Sequence, residues 1–79
     1  MPTLLRENGY RFFFFSDEHL PRHVHIEKAD QYLKIELDSL RIIDNYKMTS
    51  KEIREVLEMT ERHRHFLLER WDEYFNQQN

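Results

Sequence analysis

Four phenylalanines in a row, Phe12-Phe13-Phe14-Phe15, set the strongest constraint on how this chain folds. In an extended strand successive side chains point to opposite faces, so Phe12 and Phe14 face one way and Phe13 and Phe15 the other. A strand that is apolar on both faces needs cover on both. In a chain of 79 residues one helix can cover one face only. A second copy of the chain is the simplest cover for the other.

The surrounding pattern places this strand in a meander. Glu7-Asn8-Gly9-Tyr10 contains Asn-Gly, a favoured two-residue hairpin turn, and Gly9 is the single glycine of the chain. Strands are expected over 3–6 and 10–16. Ser16-Asp17-Glu18 breaks the apolar run, and Pro21 cannot donate to a ladder. Alternation returns from Arg22: Val24 and Ile26 lie on one face, with His23, His25 and Glu27 on the other. Leu33, Ile35 and Leu37 alternate with Tyr32, Lys34 and Glu36. Strands over 22–28, 31–37 and 40–44 follow, with Asp44 to Met48 as a connecting loop. Thr49-Ser50-Lys51-Glu52 is a capping-box signature. One long helix is expected over 50–76, with Ile53, Val56, Leu57, Thr60, Leu67, Leu68, Trp71 and Phe75 on one stripe. The fold class is α+β: an antiparallel sheet of four or five strands in one domain, with the helix packed on it.

Such a helix would measure about 40 Å at 1.5 Å per residue. A six-residue strand spans about 20 Å. The far end, with Trp71, Tyr74 and Phe75, is therefore expected to overhang the sheet. Together with Phe13 and Phe15 these residues form a candidate interface for a homodimer or a small protein partner. The polar tail, Asn76 to Asn79, is expected to fray.

Composition narrows the function classes. Twelve basic residues stand against 15 acidic ones, a net charge of −3. RNA as a partner is not supported by that balance, because nucleic-acid binders present a clustered positive patch. There is no cysteine, hence no thiolate site. The N-terminus lacks the apolar core of a signal peptide, and no run of about 18 apolar residues can span a membrane. A cytoplasmic protein is expected.

Chemistry concentrates in His19-Leu20-Pro21-Arg22-His23-Val24-His25, which holds three of the five histidines. His23 and His25 share a strand face, a recurrent way to present two imidazoles to one ion. Zinc takes imidazole ligands at about 2.0–2.1 Å, and catalytic sites commonly use three protein ligands. His19 is a candidate third ligand and His63, on the helix, a candidate fourth, with Glu27 as a carboxylate ligand or second partner. Zinc or another divalent transition metal is the cofactor such a set would take. Without metal, His23 and His25 are a candidate acid–base pair, since imidazole titrates near neutral pH. The structural alternative has all of them hydrogen-bonded within the fold. His65 is expected on the solvent side of the helix, near Glu61 and Glu69.

Pro2-Thr3, Gly9-Tyr10-Arg11-Phe12-Phe13-Phe14, His19-Leu20-Pro21-Arg22-His23-Val24-His25-Ile26, and His63-Arg64 followed by Leu67-Leu68-Glu69 and Trp71 resemble one family. It is the family of small bacterial proteins catalogued as domain of unknown function 4160. The resemblance covers nearly the whole chain and marks His19, His23, His25, His63 and Trp71. Arg22 stands where a second proline or an apolar residue is common in the family, and Ala29 where a glycine is. The family carries no settled activity. Its members often stand beside another small gene, an arrangement that has prompted toxin–antitoxin proposals. Three functions are therefore expected as alternatives: a toxin–antitoxin-type component acting through the histidine-rich surface, a histidine-based metal-binding protein, and a non-catalytic interaction or dimerisation module.

Overall fold

In the computed structural model, residues 3–75 are described. Pro2, the last residue of the expected helix and the tail from Asn76 to Asn79 lie outside them. Five strands come first: β1 (Thr3–Glu7), β2 (Tyr10–Phe13), β3 (His23–Lys28), β4 (Gln31–Glu36) and β5 (Ile42–Tyr46). Each pairs antiparallel with the next, and the spatial order is β1-β2-β3-β4-β5. The meander is thus as the alternation and short turns require. Asn8 (φ 54°) and Gly9 (φ 84°) both take positive φ, as the turn between β1 and β2 demands.

Two strands, β2 and β5, differ from the sequence pattern by two residues or more, for local reasons. β2 stops at Phe13 because the Phe15 N–H leaves the ladder and donates to the Glu18 carboxylate at 2.7 Å. β5 starts later and runs through Asp44 to Tyr46. The chain first makes a turn in which the Leu40 N–H donates to the Glu36 carbonyl and Leu40 takes φ 63°.

The expected single helix is two, α1 (Ser50–Arg62) and α2 (Arg64–Phe75). The capping box forms: Thr49 Oγ1 accepts from the Glu52 N–H at 3.2 Å, and Glu52 accepts from the Thr49 N–H at 2.9 Å. The interruption falls at His63, whose φ −103°, ψ 12° leaves the helical region. Its side chain explains why. His63 Nε2 bonds Glu7 Oε1 at 2.9 Å, and Arg62 donates to Glu7 Oε2 at 2.8 Å, so β1 anchors the chain there. This long-range tether falls at the one residue where the helical pattern is interrupted.

One sheet face and the two helices enclose the core. Tyr10, Phe12, Phe14, Val24, Ile26, Leu33, Ile35 and Leu37 meet Val56, Met59, Leu67 and Trp71. Trp71 is 2% exposed and packs edge-on to Phe14 at 5.4 Å and against Phe75 at 4.5 Å. The tryptophan end of the helical region is therefore buried by its own chain, and does not overhang. The second face of β2 is also covered from within. Phe13 lies beneath the Arg11 guanidinium, 4.3 Å from its centroid, with Phe15 edge-on at 5.4 Å and His25 stacked at 5.3 Å. Phe15 and Tyr74 stay exposed and Phe75 half-buried.

Trp71→Ala should therefore lower unfolding free energy by about 3–5 kcal/mol in urea titrations, the range for an emptied aromatic core site. The loss should be the same at high and low protein concentration. A loss that vanished on dilution would place Trp71 in an interface.

Candidate functional site

Because β3 alternates, His23 and His25 emerge on the face opposite the main core. Glu18, in the loop between β2 and β3, folds back over them. His23 Nε2 lies 2.8 Å from Glu18 Oε1, and His25 Nε2 lies 2.7 Å from Glu18 Oε2. All three side chains are nearly closed to solvent, at 4% exposure for each imidazole and 8% for the carboxylate. Each ring is also held from behind. His23 Nδ1 lies 2.7 Å from the Pro21 carbonyl, and His25 Nδ1 lies 2.7 Å from the Tyr32 hydroxyl. Phe13 and Phe15 flank His25, and Trp71 sits 5.0 Å from His23.

These partners fix the protons. A carbonyl only accepts, so His23 Nδ1 carries a hydrogen. With Glu18 an anion, the His25 Nε2–H donates to it. His25 Nδ1 then accepts from the Tyr32 O–H. Burial pushes that hydroxyl's pKa up to about 12, helped by the charges of Asp44 and Glu18, so it keeps its hydrogen.

Burial is the largest influence on His25 and lowers its pKa, against the opposing pull of Glu18. Burial alone would raise Glu18. The Phe15 N–H and the two imidazoles outweigh it and hold the carboxyl below the ordinary value. Buried carboxylate–imidazole contacts of this kind stabilise only while every lone pair is met, and here every nitrogen and both oxygens are.

The other histidines lie elsewhere. His19 is exposed on the loop, lining the clefts on either side of Glu18. His63 is held by Glu7 at the helix break and does not join the strand pair. His65 is exposed and meets Glu69 at 3.2 Å, one helical turn on. Glu27 is taken by Arg11 at 2.7 Å. Among the described residues, the one group of histidine and acidic side chains with metal-type convergence is Glu18, His23 and His25, whose donor atoms lie within 4.8 Å of one another. Glu18 is the member that sequence reasoning misses. A lone glutamate in a loop carries no periodic signal. Its only cue is position, five residues before His23 and between a buried aromatic run and a proline.

Two clefts border the cluster. One, of about 710 Å³, runs between the loop and α2, with Leu20, Arg22, Trp71 and Phe75 on its walls. The other, of about 290 Å³, lies toward β4 and β5, with His23, Lys34, Arg41 and Ile43. Arg22 closes part of the first by pairing with Asp38 at 2.8 Å and Asp72 at 3.1 Å, which ties the loop to α2.

A five-stranded meander under two helices, with a buried Glu-His-His cluster on the strand face away from the main core, defines a small α+β domain with a preformed polar centre. The chain belongs to the family described as Domain of unknown function (DUF4160), whose model matches residues 9–72. No curated protein and no solved structure matches it. No helix among the described residues is long and apolar enough to cross a membrane.

The cluster should make the fold acid-sensitive. Both shifts run downward, so in acid the unfolded chain binds more protons than the folded one. Stability is full above pH 6.5, the ordinary histidine value, and drops below it as His25 takes a proton, then again below 4.5 as Glu18 does. Thermal melts in chelator from pH 8 to 3 should follow that course. Glu18→Gln should be less stable at pH 7 and show a shallower fall below 4.5, retaining only the share of other lowered carboxyls such as Glu7 and Glu52. Parallel curves for the two proteins would contradict an ionised Glu18 in the fold.

Proposed function

We propose that this protein binds a divalent transition-metal ion of the zinc type through Glu18, His23 and His25. The observation that carries this reading is the convergence of both Nε2 atoms on one carboxylate while both Nδ1 atoms are held from behind. Metal-binding histidines are oriented in this way, with the second ring nitrogen donating to a carbonyl or another oxygen. His23 already has the required hydrogen on Nδ1. His25 reaches the same state if the Tyr32 hydroxyl turns from donor to acceptor, which a hydroxyl can do. The ion takes the place of the protons between Nε2 and the carboxylate, so acid competes with it.

Two imidazoles and one carboxylate leave a position for water or substrate, the arrangement of catalytic rather than structural zinc. Clefts on both sides of Glu18 give that position an approach. The acid–base alternative draws on the same atoms, but each ring nitrogen already has a partner. Transfer of a proton to a substrate would first require Glu18 to withdraw.

Elemental analysis of folded, zinc-reconstituted and dialysed protein should find about one ion per chain, and none in Glu18→Ala or His25→Ala. At a free zinc concentration of about 100 times Kd, unfolding free energy should rise by about 2.7 kcal/mol. Tyr32→Phe keeps every ligand but removes the support behind His25. It should bind about 10-fold more weakly or worse. Folded wild-type protein that emerges metal-free from reconstitution would refute the proposal.

A further inference from the structure

The smaller cleft carries a feature that the metal cluster leaves unexplained. Lys34 lies on β4 directly across from His25 in the strand register, with Asp44 on its other side, and its side chain lines the cleft beside Glu18 and His23. Among the described residues the Lys34 side chain makes no hydrogen bond and no ion pair, its backbone being held in the sheet ladder. Arg11 is closed by Glu27 at 2.7 Å, and the Asp44 carboxylate accepts from the Asn45 N–H at 2.9 Å. Arg41, across the same cleft, is engaged by Glu36 through Nε only, at 3.2 Å. The larger groove differs: its cation, Arg22, is fully occupied by two aspartates.

A lysine aimed beside two histidines raises the cost of any positive charge on them, and Lys34 does act against protonation of His25. Such a placement suits a ligand that brings negative charge. The cleft walls hold Asp17 and Glu18 against Lys34 and Arg41, an even balance. An ion of charge +2 at the cluster tips that balance to positive. Hydrogen bonds from an ammonium to an oxyanion are among the stronger ones.

We infer that the cleft between the Glu18-His23-His25 cluster and Lys34 takes a small oxyanion, the phosphate or carboxylate group of a small ligand. One oxygen occupies the open position on the ion, and another accepts from the Lys34 ammonium. Arg41 closes the outer side. The inference rests on the metal reading for the first of these contacts.

Cobalt(II)-loaded, dialysed protein is the form to test, because the visible bands of the ion report a new oxygen ligand. Inorganic phosphate and acetate are titrated separately at constant ionic strength, with chloride as the control. Wild-type protein should show a saturable band change with at least one of the two, and the arm that saturates at lower concentration identifies phosphate or carboxylate as the group. Lys34→Gln should need about tenfold more anion or worse, while its cobalt content, measured in the same sample, reports an intact cluster. Cobalt uptake with no anion response, with a response equal to chloride, or with Lys34→Gln behaving as wild type would overturn this inference and leave the metal reading standing. Failure of folded wild-type protein to take cobalt would overturn both.

Discussion

The histidine face of the sheet depends on one carboxylate. Glu18 reaches over the edge of β3 and gives one oxygen to each imidazole, while its second oxygen also accepts the Phe15 N–H. That single side chain ends β2, closes the loop that follows, and hides two histidines from water. Without it two ring nitrogens would be buried without partners, each at a cost of about 1–3 kcal/mol, and the Phe15 N–H would lose its acceptor. The aromatic run and the histidine segment therefore belong to one device. Phe13 and Phe15 form the dry wall around His25, and dryness is what makes the Glu18 contacts strong.

The rest of the architecture holds that device from both ends. Arg22 ties the far side of the loop to Asp38 and to Asp72 of α2. Glu7, in the first strand, fixes the helix break through Arg62 and His63. Glu52 caps α1 and also accepts from Gln31 Nε2 of β4 at 2.6 Å, so the helix start is pinned to the sheet. Exposed ion pairs taken singly stabilise little. Here they act as position markers, setting where the helices turn and where the loop lies.

Much of this was written in local patterns. Asn8-Gly9, the alternation through β3 and β4, and the Thr49-Glu52 box each rest on a short-range rule, and each forms as that rule requires. The shared face of His23 and His25 follows from the two-residue period alone. What the sequence hid is long-range. Glu7 and His63 are 56 residues apart, and nothing in the helical stripe signals that a carboxylate in β1 will interrupt it. The Phe12–Phe15 run correctly demanded cover on two faces. It could not say that Arg11 and the loop would supply the second cover from within the same chain. Glu18 stayed invisible because a loop carboxylate acquires meaning only after the loop has folded back. His19, by contrast, drew attention through its spacing to its neighbours and ends up exposed.

The indole of Trp71 is the chain's sole tryptophan, and its ring lies 5.0 Å from that of His23 in a dry setting. A fluorophore in that position shares its surroundings with the polar cluster, so its emission is sensitive to any change of charge or coordination at the imidazole. The molecule thus carries an intrinsic optical probe beside the Glu18-His23-His25 cluster. Events at Glu18, His23 and His25 can be followed in the native chain, in real time and at low concentration, without attaching a label.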